Sequence, residues 1–388
     1  MVIKNEYLSS KPRFEILDGL RGVAALLVVL FHLLETYSTG AAHQIINHGY
    51  LAVDFFFVLS GFVVGYAYDD RWSKMTVWGF FKRRLVRLHP MVIMGTLIGA
   101  CLYLFGQGEG FPLIGNVPAW KVLVAFIMGC LMIPCGMRMD IRGWGEMNSF
   151  NGPNWSLTWE YVANVLYALL FRRLPTLILV LLAACAAFCT LDICLDWNTF
   201  GLLTETHNSH IYTVIGGWSL VPEQVYIGLT RLFYPFLAGL ILSRVGRYKG
   251  IHGGFWWCSL VLVVLFSMPC VGGEGSILNG VYNAVCIILL FPLVVILGAG
   301  SKIRGVRSTK ICNFLGELSY PLYITHYPLM YMQMNWVWSH PDAPLYMHIM
   351  LNVGCFVLSI AIAYASLKLY DLPVRKWLTD RWLKRSTK

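Results

Sequence analysis

Charge is what this 388-residue chain has least of: Asp, Glu, Lys and Arg together make up 13% of it, against about a quarter in soluble globular domains. With 57% hydrophobic residues and 14 Trp, there is too little polar surface to cover the rest in water, and the composition is that of a polytopic membrane protein. Metal-ligand spacing is absent as well. The 11 cysteines form no C-x-x-C pair and no Cys/His cluster, so neither a disulfide framework nor a metal site is indicated, and they read as small hydrophobes. No internal repeat is visible, and no long polar stretch offers a separate soluble unit, so 1–388 reads as a single membrane-embedded domain with no appended soluble domain. The net charge of +10 does not point to nucleic acid, because the basic residues follow a different pattern.

Apolar segments near spanning length occur at 16–36, 50–68, 89–105, 118–136, 155–171, 174–191, 226–243, 254–270, 279–299, 313–336 and 346–370. Each approaches the ~20 residues that a ~30 Å hydrocarbon core requires. The first has no small-residue cleavage site after it and is not a signal peptide. If 118–136 does not cross, the N-terminus, 69–88, 172–173, 244–249, 302–310 and the tail after Asp371 share one side and hold 24 of the 30 basic residues. The opposite loops at 37–49, 192–225, 271–278 and 337–345 hold none. The positive-inside rule then places both termini in the cytoplasm. The expected fold is all-α, with about ten transmembrane helices plus one re-entrant or buried apolar segment at 118–136. Gly61-x-x-x-Gly65 and Gly95-x-x-x-Gly99 read as close helix contacts.

The first span carries Asp18 and Arg21 near its start and His32 near its end. Ionisable groups in a membrane span are costly and by default functional. Eleven positions separate Arg21 from His32, which returns the helix to within ~20° of the same face and spaces them ~16.5 Å along the axis. The second span enters from the other side and holds Asp54 about one turn in, at a depth similar to that of His32. A carboxylate that takes one imidazole N–H leaves the other nitrogen basic, so His32 with Asp54 reads as a general base and its partner. The structural alternative is a polar pair tying two helices together.

At the cytoplasmic edge, Lys82-Arg83-Arg84-Leu85-Val86-Arg87 precedes the third span. Arg84 and Arg87 share a helix face suited to phosphate oxygens, whereas Lys82 and Arg83 read as positive-inside anchors. An anionic head on one side and a reactive tip near the other describe coenzyme A. Its extended arm covers roughly 16 Å from pyrophosphate to sulfur, about the Arg21 to His32 rise.

Asp18-Gly19-Leu20-Arg21-Gly22 with His32, Val53-Asp54-Phe55-Phe56-Phe57-Val58-Leu59-Ser60-Gly61-Phe62, Arg84-x-x-Arg87, Asn154-Trp155-Ser156-Leu157-Thr158-Trp159-Glu160, and Ser319-Tyr320-Pro321-Leu322-Tyr323-Ile324-Thr325-His326 stand in this order. Together they resemble the motifs of the membrane-bound acyltransferase-3 family of bacterial O-acyltransferases. The resemblance implies transfer of an acyl group, most often acetyl, from acyl-CoA to a sugar hydroxyl of a surface or exported glycan, such as lipopolysaccharide or exopolysaccharide, at the extracytoplasmic face of the bacterial inner membrane. It makes His32 the base, Asp54 its partner, and Arg21, Arg84 and Arg87 part of the donor path, to which Asp18 and His326 are assigned as further lining. Asp371-Leu372-Pro373 stands where the family usually has Glu-x-Pro.

Trp155 sits where a span begins, and Ser156 and Glu160, four apart, share a face. Glu160 in apolar surroundings is expected to stay protonated and donate to a thioester carbonyl or leaving group, while Trp155 and Ser156 are expected to contact substrate. The competing function is a transporter or flippase of a lipid-linked sugar or small metabolite, against which stands the lack of an inverted repeat.

Overall fold

The computed structural model describes residues 11–40, 43–273 and 275–384. It is 74% helical, with no strand among the described residues. In chain order the helices are α1 (Glu15–Glu35), α2 (Ala52–Tyr68), α3 (Val77–Tyr103), α4 (Ala119–Leu131), α5 (Asn154–Leu169), α6 (Thr176–Cys194), α7 (Pro222–Val245), α8 (Gly254–Ser267), α9 (Ile277–Val285), α10 (Phe291–Gly300), α11 (Val306–Thr325), α12 (Tyr327–Ser339), α13 (Leu345–Ala365) and α14 (Leu372–Leu378). All eleven apolar segments are therefore helical. Seven stretches are long and apolar enough to cross a bilayer: α1, Gly49–Lys74, Val77–Gly106, α6, α7, Ile277–Gly300 and Leu345–Lys384. This is a multi-pass membrane protein. α4 and α8 are apolar but shorter, and α11 and α12 form one interrupted run. α3 begins well before its apolar stretch because Thr76 caps it, its hydroxyl accepting the Gly79 N–H at 3.0 Å, so the basic run Lys82 to Arg87 is helical.

Two helix pairs make the frame, α2 with α7 and α1 with α11. Both rest on missing side chains. A Cβ on Gly61 would overlap the Phe236 carbonyl, one on Gly239 the Val58 carbonyl, and one on Gly22 the Leu315 carbonyl. Gly95 and Gly99 likewise admit the backbone of Ile324 and Phe150. Such close approach is how helices gain packing energy where lipid removes the hydrophobic incentive. On the outside, Leu177 and Leu181 of α6, Trp257 and Leu260 of α8, and Ile349, Met350, Val353 and Val357 of α13 are exposed, the apolar belt that a bilayer covers.

Three prolines coincide with breaks in the helices, whereas Pro90, Pro235 and Pro321 lie inside continuous α3, α7 and α11. Pro292 and Pro373 have no N–H to continue the ladder, and each is preceded by a widened π turn, Cys286–Leu290 and Ser366–Asp371. Pro328 separates α11 from α12. It leaves the Ile324 carbonyl without an intrahelical donor, and the Asn151 side-chain amide donates to that carbonyl at 2.7 Å.

α4 is a half-span. Its 13 residues rise about 20 Å, short of the ~30 Å core, and they end at Met132 in the left-handed region, φ +58°. Gly129 rests on Thr96, in the C-terminal third of α3, and the chain turns back there. The return segment is tied down when the Cys135 N–H donates to the Met147 carbonyl and the Met147 N–H to the Trp218 carbonyl, each at 2.8 Å. The expected re-entrant segment is thus present. α5 in consequence starts inside the bundle: Ser156, near its beginning, meets Tyr323 on α11.

Gly61→Ala and Gly239→Ala are each expected to destabilise the fold by about 1–3 kcal/mol through overpacking. Thermal unfolding of the detergent-purified variants measures this, and the same change at Gly136, which has open space around it, is expected to leave the midpoint unchanged.

Candidate active site

α1 and α11 run side by side, and the polar face of α1 follows the seam between them. Near its start the Arg21 Nε donates to Ser319 Oγ at 2.8 Å, its Nη2 to the Gly316 carbonyl at 3.4 Å, and Asp18 pairs with the same guanidinium at 3.2 Å. Toward the other end His32 stacks on His326, ring centroids 5.6 Å apart and planes 29° from parallel. Tyr327 stands edge-on to His32 at 4.8 Å. Arg21 and His32 therefore do share one face, as the spacing predicted.

Hydrogen bonding fixes both imidazole tautomers. His32 Nδ1 is 2.8 Å from Glu35 Oε2, and a carboxylate only accepts, so Nδ1 carries the hydrogen and the neutral ring presents a bare Nε2. His326 Nδ1 lies 2.9 Å from the Tyr323 carbonyl and 3.1 Å from that of Leu322. Carbonyls also only accept, so its Nε2 is bare too, and this nitrogen is buried with no partner among the described residues. The break at Pro328 thus has a chemical result: the ring that caps it has a lone pair left over.

On the basic side of this pair lies a second cluster. Arg84 Nη2 is 2.7 Å from Glu160 Oε1, and Ser60 Oγ donates to the same oxygen at 3.0 Å. Arg84 Nε is buried and unpartnered among the described residues. Arg87, one turn along, feels the charges of Arg21, Arg84 and Arg375 and opens into a cleft of about 350 Å³ between α3 and the C-terminal helix.

The family model described as an acyltransferase domain matches residues 14–368, nearly all of the helical bundle. This chain belongs to the acyltransferase-3 family. It is similar to the acyltransferase MdmB of Streptomyces mycarofaciens, 23% identical over 81% of this chain and 78% of that protein. It is similar also to the O-acetyltransferase OatA of Staphylococcus aureus, 25% identical over 93% of this chain, and spans 57% of OatA's length. Protein 2 in the picA locus of Rhizobium radiobacter is 35% identical over 41% of this chain and 83% of its own. No solved structure matches. The protein is a membrane acyltransferase.

Two sequence expectations for the acyltransferase need correction. Asp54 is not the partner of His32. Its carboxylate is clamped by Arg231, Oδ2 to Nη2 2.7 Å, with both side chains almost wholly buried. Arg231 also donates to the Tyr50 carbonyl at 2.6 Å and the Gly216 carbonyl at 3.2 Å. Similar depth along two helices did not fix which way each side chain faced, and Asp54 faces α7. The acid beside His32 is Glu35, one turn later on the same helix. Glu160 is likewise in an ion pair with Arg84 and not in the apolar surroundings expected for it.

Trp155 is buried with the Arg231 guanidinium 5.1 Å from its ring, so it braces the Asp54 clamp. Ser156 Oγ is 2.7 Å from Tyr323 OH, which ties α5 to α11. Glu35, Arg231 and Ser60 were missed by the sequence reading, although Glu35 at three residues from His32 and a lone arginine in the apolar run 226–243 are visible signals.

The return loop after α4 holds a further buried set. Arg142 lies 3.6 Å over the Tyr331 ring, and Tyr331 OH donates to Glu146 Oε2 at 2.6 Å. Burial pushes the Glu146 carboxyl up to about 7. The native state then holds a proton that the unfolded chain releases above about pH 4.5, so stability falls as pH rises from there through 7.

Glu146→Gln is expected to flatten that decline, measured as the unfolding midpoint in detergent between pH 5.5 and 8. Asp54→Asn is expected to cost about 3–5 kcal/mol by stranding the Arg231 charge. Asp54→Leu combined with Arg231→Met is expected to recover part of the loss in the same assay.

Proposed function

We propose that this acyltransferase takes an acetyl group from acetyl-CoA held at the cytoplasmic, basic end of the bundle and delivers it to a carbohydrate hydroxyl at the extracytoplasmic face of a bacterial inner membrane, with both termini in the cytoplasm. The side assignment rests on the distribution of Lys and Arg. The observation that carries the chemistry is the bare Nε2 of His32, made so by Glu35, on the same helix face as Arg21 and stacked on a second imidazole with a free lone pair.

In this reading the phosphates of the donor lie against Arg87, with Arg21 and Arg84 beyond, and its extended arm carries the thioester toward His32. His32 Nε2 takes the proton of the acceptor hydroxyl, and the oxygen attacks the thioester carbonyl carbon. The carbon–sulfur bond breaks and the thiolate leaves, taking up the proton from the imidazolium. Glu35 stabilises that imidazolium while it exists, as a carboxylate does for a general base. Asp18 and Glu160 hold the guanidiniums in place, and His326 lines the route. Acetyl is chosen because the similar OatA is named an O-acetyltransferase.

A carbohydrate acceptor is supported by the aromatic group near Tyr331. Trp144 and Trp338, ring centroids 6.1 Å apart, are each more than a third exposed and offer flat faces to the C–H side of a sugar ring. They connect back to His32 through Tyr331 and Tyr327.

In vesicles, transfer of labelled acetyl from acetyl-CoA to membrane glycan is expected to drop 10²–10⁴-fold in His32→Ala, the range a general base supplies, and by about tenfold or more in Glu35→Gln. Wild-type activity in His32→Ala would remove this mechanism. Uptake of a sugar substrate without release of CoA would favour a carrier.

A further inference from the structure

The cleft below Arg87 contains more charge than the donor path above accounts for. It is lined by Arg83 and Arg87 of α3 and by Arg375, Lys376, Asp380 and Lys384 of the C-terminal helix. Two of these cations are already matched, Arg375 with Asp371 at 3.0 Å and Lys384 with Asp380 at 2.7 Å. Arg87 and Lys376 have no ion pair among the described residues. Like charges gathered around a cavity repel one another, so the arrangement costs stability when empty and is offset by an anion that fills it. At about 350 Å³ the cleft falls within the ~300–1,000 Å³ range of small-molecule sites.

The two unmatched cations sit on different walls, Arg87 on α3 and Lys376 on α14, and both are exposed. A ligand that satisfies both carries two separate anionic groups, one against each wall. A coenzyme A thioester has that form, with a pyrophosphate on the line toward the thioester and a second phosphate on the ribose 3′ oxygen.

We propose that α14 contributes a 3′-phosphate subsite, with Lys376 as its principal contact and Arg83 and Lys384 beside it, which makes the enzyme selective for donors phosphorylated at that position. This rests on the acyl-CoA reading given above. The subsite acts on donor affinity and leaves the thioester chemistry at His32 untouched. An anionic lipid headgroup also presents a phosphate at this level, and the experiment separates the two sources.

Binding of acetyl-CoA and acetyl-3′-dephospho-CoA to the full-length protein in phosphatidylcholine nanodiscs, followed by titration calorimetry, tests the subsite. Wild type is expected to bind the dephospho compound about tenfold more weakly, which is about 1.4 kcal/mol. Lys376→Glu is expected to weaken acetyl-CoA by about tenfold or more while leaving the dephospho compound unchanged; Lys376 is exposed, so the fold tolerates the change. Equal binding of the two compounds by wild type, or equal weakening of both by Lys376→Glu, overturns the subsite while the donor reading stands. If neither compound binds, the donor reading fails and the subsite with it. If the preference for acetyl-CoA vanishes only when anionic lipid is added and survives in Lys376→Glu, the phosphate recognised there belongs to lipid and the proposal is wrong.

Discussion

The contact between α1 and α11 determines where everything else in this acyltransferase can lie. Gly19, Gly22 and Gly316 bring the two backbones so close that a single methyl group at any of them would collide with Cys312, Leu315 or Asp18. Held this tightly, the pair presents one continuous seam, with a guanidinium near one end and stacked imidazoles toward the other. A looser contact would let either helix rotate, and rotation by one residue, ~100°, would turn Arg21 and His32 away from the interior together. That Arg21 and His32 both face α11 is therefore a consequence of one close contact made by three glycines.

Around that seam the buried charges divide into two kinds. Asp54 with Arg231 is dry and fully matched, with carbonyl acceptors completing the guanidinium's bonds. It joins α2 to α7 and has no atom left with which to do chemistry. Arg84 and His326 are different, because each keeps a buried nitrogen without a partner among the described residues. Unsatisfied polar groups inside a protein are expensive, and a fold held by close glycine contacts can offset that cost.

Much of this was legible in the sequence and some was not, for identifiable reasons. The parity of basic loops required 118–136 to turn back, and the half-length α4 with its left-handed end at Met132 does so. The 11-residue interval from Arg21 to His32 correctly assigned them to one face. Helical periodicity gives angles within a helix and none between helices, which is why Asp54 was matched to the wrong partner. The apolar pattern marks where α5 starts but not that it starts at the end of a folded-back loop, where Trp155 meets Arg231. Nothing in the apolar pattern marks Lys376 as lining a cleft; that follows from α14 folding against α3.

The folded-back loop itself bears on the physics of the barrier. Between Met132 and Pro153 the interior holds Asp140, Arg142, Glu146, Asn148, Ser149 and Asn151, all buried, where a complete transmembrane helix would have placed hydrocarbon side chains. Polarisable material screens charge better than lipid does. The chain therefore lines this stretch of the interior with polar side chains that a spanning apolar helix would not supply.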